Sequence, residues 1–227
     1  MRLYAALLTC VLYLQLGWVV ILAPALVLRL ETAFGQSDAS FGLLYFAWWS
    51  SYAIGALAGG LVTERIGRRP VLVLSFLVGG ALLLAQGVTA DWWIFQLLGI
   101  PRSFGSGAVD AGGTALMLDL YPDGRGRALN AAHLFFAVGA TAAPFVVGAL
   151  DGAGVAWQTL MTGSGVALLP ASAASAASPF GCPCWRLRWR LPATSAPRWV
   201  CPAGWSDSSP TRPSWWRQAR WVSSGAA

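Results

Sequence analysis

The sequence predicts an all-α integral membrane protein, a bundle of six spanning helices followed by an irregular tail. Three observations carry this expectation. First, 56% of the 227 residues are hydrophobic and only 11% are charged, with a mean hydropathy of +0.59. A soluble domain carries about a quarter charged residues, so there is too little polar surface here to cover a water-facing globule. Second, six apolar runs are separated by short polar segments. Third, six of the eight arginines before residue 171 lie on alternate flanks of these runs.

A bilayer-crossing helix needs about 20 largely apolar residues. Runs at 4–28, 41–62, 70–89, 92–118 and 128–150 meet that need, and a poorer one runs from about 155 to 169. The separators are 29–40, 63–69, 90–91, 119–127 and 151–154, short enough to make neighbouring spans antiparallel. The first run follows Arg2 and ends near Ala23-Pro24-Ala25, which invites a signal-peptide reading. Its apolar stretch is about 20 residues against the 7–15 of a signal core, and no polar region precedes the cut, so an uncleaved first span is expected. The second run carries Gly55 and Gly59 four apart, with Ala56 and Gly60 in the next register, a spacing that lets another helix approach closely. The sixth run fails midway, because the Ala/Ser stretch after Leu169 is a poor membrane segment.

Basic flanks orient such proteins. With the N-terminus inside, the cytoplasmic flanks hold Arg2, Arg65, Arg68, Arg69, Arg125 and Arg127, and the opposite flanks hold only Arg29. A multi-pass protein of the plasma or inner membrane with a cytoplasmic N-terminus is therefore expected.

Between the second and third runs stand Gly60, Glu64, Arg65, Gly67, Arg68 and Arg69. Glycine, three residues, an acid, arginine, one residue, glycine and two basic residues resembles the loop signature of the major facilitator superfamily, with glutamate at a position where aspartate is more usual. An acid beside arginines and a helix terminus can form a pair that latches one side of a carrier and breaks as its halves rock. Arg102-Ser-Phe-Gly105-Ser-Gly107 is similar to the superfamily's helix-four motif. Asp110, together with Asn130, His133, Gly139 and Pro144, resembles its sugar-permease-like branch. The antiporter-type helix-five pattern is incomplete, since Ala143-Pro144 stands where Gly-Pro is often found. The resemblance covers residues 5 to about 170. It implies a six-helix N-terminal half of a major facilitator superfamily fold, with the solute held between two such halves.

A charge near the bilayer centre costs at least about 2.5–3.5 kcal/mol and normally faces a cavity or a partner. Arg102 lies near mid-depth of the fourth run, and Asp110 follows eight residues later, roughly 80° around the helix. Since helix four lines the central cavity in the superfamily, this pair leads the candidates for substrate binding and proton coupling. Mutual neutralisation, or pairing with neighbouring helices, is the structural alternative. His133 lies nearer the cytoplasmic mouth, where either packing or proton transfer would suit it. Tyr13, Gln15 and Trp18 on the first run offer hydrogen bonds and a stacking surface to a sugar-like ligand, or else belong to the core. Gly55, Gly59, Gly105 and Gly107 are read as helix-packing positions, the first two facing a partner outside the bundle.

No phosphate-cradling loop, nucleophile constellation or metal-ligand cluster can be assembled, so neither an enzyme nor a cofactor or metal site is expected. Residues 1–170 hold eight arginines and eight acids, so the net charge of +6 resides in 171–227 and implies nothing about nucleic acid binding by the apolar body. That tail holds seven of thirteen tryptophans and three of four cysteines, with no helical or strand periodicity. It is expected to be out-of-frame translation, with zinc binding by its cysteines or lipid binding by its Trp/Arg pattern as weaker readings. The functional expectation is a proton-coupled secondary transporter of a small solute, present as a truncated N-terminal half that meets a second half or a copy of itself. The alternative is a non-transporting six-helix scaffold.

Overall fold

The computed structural model of the chain describes residues 2–177, and these fold into six long helices and one short one. The expectations for the tail, out-of-frame character, zinc and lipid binding alike, fall almost wholly outside the described residues.

Helix α1 (Arg2–Ala25) is apolar throughout and carries Pro24 near its end. Proline removes one helical N–H and crowds the carbonyl a turn earlier, and the helix gives way at Leu26. A short helix α2 (Val27–Phe34) resumes at once and stops at Gly35, whose φ of +62° is left-handed. The separator expected over 29–40 is thus mostly helical, and only 35–37 lie outside helices. Helix α3 (Asp38–Ile66) starts where the Ser37 hydroxyl accepts the Ser40 N–H, with Asp38 in the first turn facing the positive end of the helix dipole. The arginine-rich hairpin then closes on one residue. Gly67, at φ +91°, is all that stands between α3 and α4 (Arg68–Val88). Helix α5 (Trp92–Leu120) is capped by Asp91, whose carboxylate accepts the Ile94 N–H at 2.9 Å. Helix α6 (Arg125–Gly152) and α7 (Trp157–Ala177) follow. The sixth run continues as helix past residue 169, α7 being 21 residues in all, but it is not among the helices apolar enough to cross a membrane.

Three close pairings build the bundle: α1 with α6, α3 with α5, and α4 with α7. Each rests on glycines where a Cβ would strike opposing backbone. In α1·α6 a Cβ on Gly139 would lie 2.0 Å from the Leu14 carbonyl oxygen. In α4·α7 one on Gly165 would lie 2.9 Å from the Gly80 carbonyl oxygen. In α3·α5, Gly55 meets Phe104, Gly59 meets Ala108 and Gly107 meets Tyr52. Gly55 and Gly59 therefore pack against α5 of this chain rather than against an outside partner. Without a hydrophobic driving force in lipid, such close approach supplies the dispersion contacts that hold helices together.

Helix α5 touches α1, α3, α4 and α6 and is the interior helix. This accounts for its composition. Among the described residues α1, α3, α4 and α6 are long and apolar enough to cross a membrane, while α5 and α7 are long enough but more polar. A helix wrapped by others need not be apolar on every side. The outer faces are the reverse, with Phe46, Leu57, Leu61, Leu97 and Phe145 all largely exposed, as expected when the surrounding solvent is lipid.

Candidate functional site

The polar residues of α5 fall at four-residue steps: Arg102, Ser106, Asp110 and Thr114. Four residues advance about 400° around a helix, so they form one slowly drifting stripe. Opposite the stripe α3 presents Tyr45, Trp48, Trp49 and Tyr52, also at helical spacing, and the two rows interlock. Between α1, α3 and α5 lies a narrow cleft, lined by Val20 and Pro24, the four aromatic residues of α3, and Arg102, Ser103 and Ser106.

Arg102 is only 4% exposed. Its guanidinium carbon lies 4.9 Å from the centroid of the Trp48 ring, a cation–π contact worth about 2 kcal/mol when desolvated. Among the described residues no carboxylate reaches it, and its Nε has no hydrogen-bond partner. Trp48 is held along one edge by α5: its Nε1 donates to the Gln96 carbonyl at 3.1 Å, and its indole fills the space left by Gly99. The hydroxyl of Tyr45, also in the cleft, is buried and unpartnered. Ser51 donates to the Ile100 carbonyl at 2.7 Å, locking α3 to α5 just above the arginine.

Asp110 does not pair with Arg102. Its Oδ2 accepts the Tyr52 hydroxyl at 3.0 Å, so arginine and aspartate each engage α3 one turn apart, at Trp48 and Tyr52. Tyr13 enters from α1, fully buried, donating to the Asp110 carbonyl at 2.9 Å and sharing a 2.8 Å hydrogen bond with Thr114. His133 on α6 meets the edge of the Tyr13 ring at 5.5 Å between centroids. Four helices thus converge on Asp110 through Tyr52, Tyr13 and His133.

The other first-span candidates point elsewhere. Gln15 donates to the Ala167 carbonyl at 3.0 Å and Trp18 to Ser164 at 2.9 Å, so both tie α1 to α7, and neither lines the cleft. Asn130 and His133 lie exposed on α6. In the hairpin Glu64 is exposed and forms no ion pair among the described residues. The ion pair at this end is made instead by Arg68, with Asp119 at the end of α5. Gly60 faces open space, and Gly105 makes only ordinary contact with Ser75 on α4, so neither is a point of close approach. At the opposite end of the bundle Arg29 pairs with Asp151 at 2.5 Å.

Sequence reasoning singled out Arg102 and Asp110 but not their neighbours Tyr45, Trp48, Tyr52, Ser106 and Thr114. The four-residue polar step in α5 and the aromatic row in α3 were the signals available for them. A family model described as Major Facilitator Superfamily matches residues 5–187 of the chain, while no curated protein matches it.

Proposed function

The chain belongs to the major facilitator superfamily of membrane transporters, and from that premise we propose that it is a proton-coupled secondary carrier of a small solute. In this reading Arg102 and its aromatic neighbours hold the solute, and Asp110 takes and releases the proton. The observation that carries it is the pairing on α5 of a buried cation and a carboxylate that are not spent on each other. A purely structural pair would neutralise itself, since leaving two charges apart in a low-dielectric interior is costly. The Tyr52 hydroxyl orients the Asp110 carboxylate, the Tyr13 hydroxyl holds the backbone carbonyl of the same residue, and His133 stands one ring beyond Tyr13.

The described bundle corresponds to the first six-helix half of the superfamily's fold, so we read the solute path as completed by a second bundle, either a copy of this chain or a separate half. The Arg68–Asp119 pair acts as the clasp that holds the arginine-rich end, taken as cytoplasmic, until the halves rock. The test is solute uptake into vesicles carrying the full chain, under an imposed proton gradient. Replacing Asp110 with Asn should abolish uphill uptake while leaving membrane insertion and downhill exchange intact. Uphill uptake that survives the replacement rules out Asp110 as the coupling group.

A further inference from the structure

Among the described residues no carboxylate reaches the guanidinium of Arg102 at mid-bundle, which leaves an unbalanced charge, and the cleft beside it is lined by no other ionic group. Arg102 is 4% exposed, lies on one face of Trp48, and keeps an unpartnered Nε. Its remaining neighbours in the cleft are neutral: Tyr45 with a free hydroxyl, Ser103, Ser106, Tyr52 and Trp49. Asp110 does not line this cleft. It sits about 12 Å further along the helix axis and is engaged by Tyr52.

We propose that the cleft takes a small organic monoanion, whose carboxylate docks on Arg102 while its planar or apolar body lies among the aromatic rings of α3. This names the substrate class for the transport reading above and rests on it. The planar guanidinium fork matches a carboxylate with two parallel N–H···O bonds, and the match is strongest where water is excluded. One cation balances one anionic charge, which favours a monocarboxylate over a phosphate dianion. A neutral polyol fits poorly. It would leave the guanidinium uncompensated and would set its hydroxyls against indole and phenol faces in place of convergent acceptors. Trp48 is held along its Nε1 edge by Gln96 and Gly99 of α5, so the platform exists before the solute arrives.

The test uses the full chain in lipid nanodiscs with radiolabelled benzoate as the probe. Unlabelled pyruvate, benzamide and D-glucose serve as competitors. Saturable benzoate binding is expected, displaced by pyruvate but not by benzamide or glucose. Arg102→Gln should weaken it about ten- to a hundredfold, the range for losing hydrogen bonds to a charged group. Arg102→Lys, which keeps the charge without the fork, should bind with intermediate strength, and Trp48→Leu should weaken binding while leaving Arg102 in place. These two variants decide the matter if Arg102→Gln does not fold. Absence of saturable benzoate binding, equal displacement by benzamide, or unchanged affinity in the Arg102 variants would overturn the assignment. The transport reading fails separately. A chain that binds benzoate yet never moves it loses that reading and keeps the anion site. A chain that carries glucose uphill keeps transport and loses the anion site.

Discussion

Arg102 and Asp110 share one helix, yet each meets an aromatic residue of α3, and small residues make that arrangement possible. Gly99 is the clearest case: a Cβ there would lie 2.0 Å from the Trp48 indole. Gly99→Ala should push Trp48 off Arg102, lower stability by about 1–3 kcal/mol as overpacking does, and abolish solute binding in a chain that still inserts. Thermal unfolding in detergent and binding in nanodiscs check the two parts. The two signature glycines of the hairpin should part company. Gly67 sits at φ +91° as the only link between α3 and α4, so Gly67→Ala should cost about 1–3 kcal/mol of backbone strain. Gly60 faces open space, and Gly60→Ala should stay within about 0.5 kcal/mol. Equal melting temperatures for the two variants would contradict the geometry. The Arg68–Asp119 pair is half exposed or more on its acidic side, so Asp119→Asn should alter stability by no more than about 1 kcal/mol. Any larger effect of that change should appear in transport rate.

Helices α3 and α5 meet through bare backbone at Gly55, Gly59 and Gly107, where a Cβ on Gly107 would lie 2.0 Å from the Tyr52 carbonyl oxygen. Gly107→Leu must therefore separate the pair and with it both halves of the site. The expected outcome is loss of binding together with a large fall in thermal stability, whereas Gly105→Ala, in ordinary contact with Ser75, should leave both nearly unchanged. Most of the helices were legible from their apolar runs, because length and hydropathy alone select spans in lipid. The short helix α2 was not. Arg29, Glu31 and Thr32 read as a polar separator, and nothing local says that helix resumes after Pro24 and Leu26. The second half of α7 was missed for a related reason. Ala and Ser there are weakly apolar, and the close glycine contacts with α4 lie earlier in α7, between Gln158 and Leu169. The direction of Gly55 and Gly59 was equally hidden, since spacing reveals a packing face without saying which helix meets it.

For the whole molecule, the composition identified the solvent and the hairpin identified the family, while the site was legible only in part. Arg102 and Asp110 stood out because charge in a spanning segment is costly. Their partners Trp48 and Tyr52 are ordinary membrane-helix aromatics until α3 is laid beside α5. Tyr13 could be placed against Asp110, and Gln15 and Trp18 against α7, only by the tertiary fold. The central proposal is that α5 couples solute movement to proton movement. It is tested most directly by proton flux in sealed vesicles bearing the full chain, with a pH-sensitive dye inside and benzoate added outside under an inward proton gradient. Wild type should acidify the lumen faster when solute is added, beyond what empty vesicles show, and Asp110→Asn should lose that solute-dependent proton entry. Solute-dependent proton entry of equal size in wild type and Asp110→Asn would contradict it.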